Sequence, residues 1–265
     1  MTTNQSLERG LAILDLLDRS ERSMGIREIA RKLDLSPAVV QRLANSLSLA
    51  AYIEQNQETK RYALGYRAVV LGAGLRRADN LMVSASAELR QLAREQRVNG
   101  YLGVLRNQQA IYLDSVQSAG PIAVRSVPGE RALPHSTAMG KVLISELSPE
   151  AVDAVVGPAP YFAPTTRTIT GRDALMTELV DVRTRGFALS RQENLDGVVS
   201  IAAPVRDDSN AIVAALSVAF LTGERNAEGV RAMIGLVLDA AHRCSHSLGC
   251  PLVPDLTVED NVRVD

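Results

Sequence analysis

Ile26-Arg-Glu-Ile-Ala-Arg-Lys-Leu-Asp-Leu-Ser-Pro-Ala-Val-Val-Gln-Arg-Leu-Ala-Asn-Ser-Leu47 reads as two short amphipathic helices with a tight corner between them. Ile26, Ile29, Ala30 and Leu33 keep the i, i+3, i+4, i+7 spacing of a buried stripe, and Val40, Leu43, Ala44 and Leu47 repeat it. Ser36 stands where an N-cap oxygen accepts orphan N–H groups, and Pro37 follows at the first helical position, where its missing donor does no harm. The pattern predicts a helix-turn-helix, the layout that lowers its second helix into a DNA major groove. With the apolar stripe turned inward, Ala38, Gln41, Arg42 and Asn45 face outward, able to reach base edges and phosphates.

Beyond that second helix, Ala51-Tyr-Ile-Glu-Gln55 and Lys60-Arg-Tyr-Ala-Leu64 are β-prone runs separated by Asn56–Thr59. They predict a wing that lays Lys60 and Arg61 along the sugar-phosphate backbone. Upstream, Leu7, Leu11, Leu14 and Leu17 predict a first helix whose apolar face completes the domain. The expected DNA-binding set is therefore Arg27, Ser36, Pro37, Ala38, Val39, Gln41, Arg42, Asn45, Lys60 and Arg61. Residues 1–66 hold nine Lys/Arg against eight Asp/Glu, so no general basic patch forms. Few phosphate contacts per subunit then require paired half-sites, and a homodimer or a tetramer is expected.

The 265 residues, 46% hydrophobic and 22% charged with net charge −1, suffice for two packed domains. The longest apolar runs, such as Ile212–Leu221, fall far short of the ~20 residues that span a bilayer. Met1–Gly10 has no apolar signal-peptide core, so a cytoplasmic, nucleoid-associated protein with no membrane partner is expected. Cys244 and Cys250 are too few for a disulfide framework and are expected to be reduced.

Leu71, Leu75, Met82, Ala85, Leu89 and Leu92 recur at helical spacing and predict a linker helix over 67–98, weakened by Gly72 and Gly74. Strands are expected at 101–105, 110–116, 122–127, 187–190, 198–205 and 211–221, and helices at 137–147, 171–185 and 227–248. The turn Arg206–Asn210 makes the last two strands a hairpin at the middle of a sheet. The fold class is α+β, divided as a winged helix-turn-helix over 1–66, a linker helix over 67–98, an effector-binding domain over 99–250 and a tail over 251–265.

Four segments in order carry a resemblance over nearly the whole length: Ser6-Leu-Glu-Arg-Gly-Leu-Ala-Ile-Leu14, Arg61-Tyr-Ala-Leu-Gly65, Leu133-Pro-His-Ser-Thr-Ala-Met-Gly-Lys141, and the run with Gly186, Ser190, Glu193, Ser200, Ile201, Ala202, Val205 and Asp207. In these the chain resembles the IclR-type bacterial transcription regulators. It departs from their pattern at Arg206, where an aromatic or His is usual, and at Ala50-Ala51, which replace the Gly before the wing's Tyr. The resemblance implies a GAF-like C-terminal domain that binds a small molecule and changes the affinity of the DNA-binding heads for operator DNA in a catabolic or metabolic operon.

Effector contacts are expected from Ser136, Thr137, Ala138, Met139, Ser190, Glu193, Ser200 and Ala202. Ser136 and Thr137 open a helix, where free N–H groups and the dipole favour a carboxylate. A hydroxyl at Ser190 offers a donor where many relatives carry a carboxylate, which points to an organic acid. A structural hydrogen bond is the expected role of His135, and satisfying buried backbone groups is the alternative role for Glu193 and Ser200. No hydrolase, protease, phosphate-loop or dinucleotide motif occurs, so no catalytic residue and no cofactor are expected. His242, His246 and Cys250 share a helical spacing, but Gly249 ends the helix and no acidic ligand is adjacent, so no metal is expected either. The rival readings are a redox enzyme of GAF-like fold using the cysteines, and a sensor that signals through a protein partner.

Overall fold

The structure, a computed structural model, describes residues 4–20, 22–71, 80–118 and 126–251. Two compact units, Met1–Ala78 and Asp79–Asp265, divide the chain. The first unit contains α1 (Gln5–Asp18), α2 (Ile26–Leu33), α3 (Pro37–Leu49) and the antiparallel pair β1 (Ile53–Gln55) and β2 (Tyr62–Leu64). Residues 66–71 are again helical. Between α2 and α3 the chain turns through Asp34 in the left-handed region, φ 51°, and the Leu35 N–H closes the corner on the Ala30 carbonyl at 2.9 Å. Ser36 Oγ accepts the Val39 N–H and Pro37 opens α3, as the sequence predicts. Val40, Ala44, Ile29 and Ala30 pack with Ile13, Leu17, Met24, Ile53 and Tyr62, while Ile26, Leu33, Leu43 and Leu47 lie at the edge of that core.

The face of α1 differs from expectation. Leu7 and Leu11 are exposed, and Gly10, Ile13 and Leu17 turn inward. Two apolar stripes run along this helix, one through 7, 11 and 14 and one through 10, 13 and 17, and periodicity alone does not choose between them.

The second unit is a five-stranded antiparallel sheet in the order β4-β3-β7-β6-β5, with β3 (Asn99–Arg106), β4 (Gln109–Val116), β5 (Ala188–Arg191), β6 (Val198–Arg206) and β7 (Ile212–Leu221). β6 and β7 pair as the hairpin that the turn at 206–210 predicts, and it lies in the middle of the sheet. Asn107 and Gln108, both at positive φ, form the two-residue turn of β3–β4, whose twist matches the paired strands. One face of the sheet packs Leu102, Val104, Ile201, Ala203, Leu216 and Val218 against α4 (Asn80–Gln96) and the closing α8 (Ala227–Ser247). The other face packs Ala188, Ala202 and Ala215 under α5 (Ala138–Ile144), with α7 (Arg172–Arg185) beyond it.

The segment expected as a linker helix is helical at 66–71 and again over Asn80–Gln96, where Leu81, Met82, Ala85, Leu89 and Leu92 are part of the second unit's core. Gly72, Gly74, Leu75, the expected strand at 122–125 and the tail from 252 lie outside the described residues, and Ser126 and Val127 are not strand. A helix that periodicity missed, α6 (Pro149–Val156), is capped by Ser148 and opened by Pro149, repeating the Ser36-Pro37 start of α3. None of the described helices is long and apolar enough to cross a membrane.

Candidate functional site

In the first unit α3 presents Ala38, Gln41, Arg42 and Asn45 on its exposed face, with Ser36 and Pro37 exposed at its start and Val39 half-buried. Gln41 Nε2 donates to Asn45 Oδ1 at 2.9 Å and to the Tyr62 hydroxyl at 3.1 Å, so the face is partly pre-arranged and braced against the wing. Arg27 and Lys60 are exposed. Arg61 is otherwise engaged: its Nε donates to the Ser23 carbonyl at 2.8 Å and its guanidinium lies 2.7 Å from Glu28 Oε2. This partner makes Arg61 a fastening between wing and α2, in place of the free phosphate contact expected of it. Asn56 Oδ1 accepts the Glu58 and Thr59 N–H groups and shapes the wing tip that carries Lys60.

In the second unit strand register builds a chamber. Ser190, Ser200 and Ala219 stand in one line across β5, β6 and β7, and Tyr101 pairs with Ser217 in the neighbouring row. Because side chains alternate along a strand, all of these project to the α5 side. There they floor a cavity of about 160 Å³ that Tyr112, Ser126, Val198, Asn194, Leu195 and the start of α5 at Thr137, Ala138 and Met139 complete. That volume is below the roughly 300 Å³ at which drug-sized pockets begin, and suits a small metabolite. Among the described residues no charged side chain lines it. Burial raises both phenols, Tyr101 and Tyr112, above the ordinary tyrosine value, so both keep their protons.

Of the expected effector residues, Thr137, Ala138, Met139, Ser190 and Ser200 line this cavity and Ser136, Glu193 and Ala202 do not. Ala202 is on the same face two residues beyond Ser200 but is covered by α5, among Ala138, Met139 and Val142. Ser136 supports the wall: its Oγ donates to Asn194 Oδ1 at 3.0 Å and its carbonyl accepts the Ser190 hydroxyl at 2.7 Å. Ser190 therefore spends its proton on the backbone and offers the cavity an acceptor, the reverse of the donor expected. Ser217 does the same, donating to the Ile201 carbonyl at 2.9 Å. Thr137 Oγ1 takes up the Gly140 N–H and leaves the earlier first-turn donors of α5, Ala138 and Met139, at the cavity wall.

Glu193 lies behind the wall, where Lys141 Nζ reaches its Oε1 at 2.7 Å. Lys141, only 1% exposed, also donates to Glu178 Oε1 at 3.4 Å, and Arg185 closes the group on Glu178 at 2.8 Å. Burial pushes the Glu193 carboxyl above its ordinary value against the pull of Lys141. His135 is buried with Nε2 bonded to the Phe162 carbonyl at 2.8 Å, the structural role expected. Tyr101, Tyr112, Asn194, Ser217 and Ala219 were missed by the sequence reading; strand alternation from Ser200 could have found Ser217 and Ala219 once the pairing was known.

Cys244 is fully buried and its thiol is pushed up to about 11 by burial, so it keeps its proton at neutral pH and is no thiolate nucleophile. Cys250 Sγ faces Asn210 Oδ1 at 3.9 Å, and among the described residues no group of three His, Cys, Asp or Glu side chains is placed to hold a metal.

Residues 6–57 match the IclR helix-turn-helix domain, and residues 75–246 match the C-terminal domain of the bacterial transcriptional regulator IclR. The HTH-type transcriptional regulator XynR of Escherichia coli is 33% identical over 82% of this chain and 86% of its own length. The glycerol operon regulatory protein of Streptomyces griseus is 33% identical over 92% of this chain and 96% of its own. Among solved structures, an IclR-type transcriptional regulator from Alicyclobacillus acidocaldarius superimposes with a TM-score of 0.84 at 24% identity, covering 94% of this chain and all of that one.

Proposed function

The chain belongs to the IclR family of bacterial transcriptional regulators, and from that premise we propose how its two units divide the work. It is a DNA-binding regulator of transcription, controlled by a small molecule in its C-terminal domain. The observation that carries the DNA reading is the exposed row Ala38, Gln41, Arg42 and Asn45 on the capped α3, beside an exposed Arg27 and a wing that presents Lys60. Arg42, Gln41 and Asn45 read base edges in the major groove, while Ser36, Pro37 and Val39 bring the helix start to the backbone. The near-neutral charge of this unit supports a homodimer, or a tetramer, on paired half-sites in the bacterial cytoplasm and nucleoid.

The effector we propose is a small organic acid. Its carboxylate meets the first-turn N–H groups of α5 at Ala138 and Met139 and the Asn194 carboxamide, and its body lies against Ser190, Ser200 and Ser217. Ser136, Glu193 and Ala202 act from behind. The regulated operon is a catabolic one, in keeping with relatives named for the glycerol operon and as XynR. The effector changes DNA affinity only by its difference in affinity for the two conformations, typically about 1–3 kcal/mol. Domain limits of 1–66, 67–98 and 99–250 belong to the same proposal.

A mobility-shift titration of the full chain with its own upstream DNA, at several salt concentrations and with a set of small carboxylates, tests both halves. Salt-sensitive binding altered by one of the acids is expected. No association with that DNA at any salt concentration would overturn the reading.

A further inference from the structure

The β5–β6 connection, 192–197, brings Asn194 and Leu195 to the cavity, and the residues that fix it are not cavity residues. The Gln192 carbonyl accepts Thr165 Oγ1 at 2.6 Å, and the Glu193 carbonyl accepts Thr168 Oγ1 at 2.6 Å. The Glu193 carboxylate is taken by Lys141, and Asn194 Oδ1 by Ser136. Successive residues of one loop are thus held by three different segments: the 165–168 turn, α5 and the residues before α5. Gln192 itself sits at φ 62°, a conformation that a non-glycine residue keeps only where its surroundings hold it there.

Core stability is a poor account of this arrangement. A buried ion pair is often no better for stability than apolar residues of the same volume, since desolvation consumes the Coulombic gain. Here the account is worse, because Glu193 Oε2 is buried without a hydrogen-bond partner among the described residues. What the pair does have is direction, since it joins a residue of the buried α5 to the residue preceding Asn194.

We propose that Lys141, Glu193, Thr165 and Thr168 are positioning residues that hold the Gln192–Leu195 segment as one wall of the effector cavity without touching the effector. The inference rests on the cavity being the effector site. Asn194 and Leu195 then meet the ligand from a fixed place, and the four residues behind them govern its affinity.

Hydrogen exchange of the full-length chain, read by mass spectrometry without any ligand, tests the proposal in two variants. One combines Lys141→Met with Glu193→Met, which removes both charges at similar volume; the other is Thr168→Val. In each, exchange across 192–198 is expected to rise at least tenfold while β6 and β7 exchange as before. Unchanged protection of 192–198 in Thr168→Val overturns the proposal, and so does acceleration spread equally over β6 and β7, which a merely structural role produces. Should the double variant fail to fold, the threonine variant decides alone. The outcome is independent of DNA binding, so a protein that ignores its operator would sink the functional reading and leave this result standing.

Discussion

Ser190 Oγ donates to the Ser136 carbonyl at 2.7 Å, and this one bond fixes what β5 offers a ligand. With the proton committed, the hydroxyl presents lone pairs, as Ser217 does from β7. A ligand that brings its own hydroxyl donor satisfies them, and one that brings only hydrocarbon leaves buried acceptors unmet. Hydroxy acids should therefore raise the thermal midpoint more than their unsubstituted parents, lactate more than propionate at equal concentration. Equal shifts for the two would contradict the acceptor-lined floor.

Gly103 is where the cavity is most easily closed from inside. A Cβ there would fall 2.0 Å from Met139 Sδ, and Met139 lines the chamber, so Gly103→Ala should drive that flexible side chain into the ligand's space. Overpacking of this kind costs about 1–3 kcal/mol. Calorimetry with an acid that binds the parent protein is expected to show affinity falling further than stability does; undiminished affinity would mean that Met139 escapes elsewhere.

Arg42 and Lys60, two of the basic residues expected on DNA, should behave differently. Arg42→Ala is expected to weaken operator binding by about 1–3 kcal/mol and relax preference at its base, whereas Lys60→Ala lowers affinity for all sequences and reduces the salt slope by about 1. Arg61→Ala acts otherwise: freed from Glu28 and Ser23, the wing loosens, and exchange of its amides rises even without DNA. Mobility shifts over a salt series separate the first two, and an Arg42 variant with parental affinity would remove that residue from the reading face.

Ala51 carries a backbone cost that the sequence hints at. It follows the end of α3 at φ 62°, and the Tyr52 N–H bonds the Leu47 carbonyl at 2.9 Å, the hydrogen-bond pattern of a helix end that favours glycine. A left-handed alanine costs about 1–2 kcal/mol, and glycine's extra freedom in the unfolded chain returns about 0.5–1 of that. Ala51→Gly should stabilise the first unit by about 0.5–1 kcal/mol in urea denaturation, and a loss of stability would refute the argument.

His135 gives the second unit a dependence on pH whose direction is fixed. Burial holds its pKa below the ordinary 6.5, with the charge of Lys141 acting in the same direction, so the folded protein takes up a proton only at lower pH than the unfolded chain does. The stabilisation is complete above 6.5 and is lost as pH falls below it, by up to about 1.4 kcal/mol per pH unit until the folded group titrates. Urea midpoints at pH 7.5 and 5.5 should draw together in His135→Gln relative to the parent, and identical pH dependence would show that His135 is not the group responsible.

The first unit was legible because its determinants are local: Ser36-Pro37 announces a helix start, and the stripe through Val40 and Ala44 names its buried face. The chamber was legible only in part. Ser190 and Ser200 were singled out by resemblance, and Ala219 stands opposite Ser200 across the β6–β7 hairpin, but that Tyr101 pairs with Ser217 follows from strand pairing between residues over a hundred positions apart, which no local pattern encodes. Lys141 misled most. A lysine in the middle of a helix reads as a solvated residue, and only Glu193 and Glu178, brought from β5–β6 and α7, explain how it is buried.

Tyr101 and Leu102 are adjacent in the chain, yet one borders the chamber and the other lies under α4 on the far side of the sheet. A Cβ on Gly100 would stand 2.9 Å from Leu89 Cδ2, so β3 and α4 meet with no slack between them. The chamber and the first helix of its own unit are thus separated by the thickness of a single strand, with one face of β3 toward each.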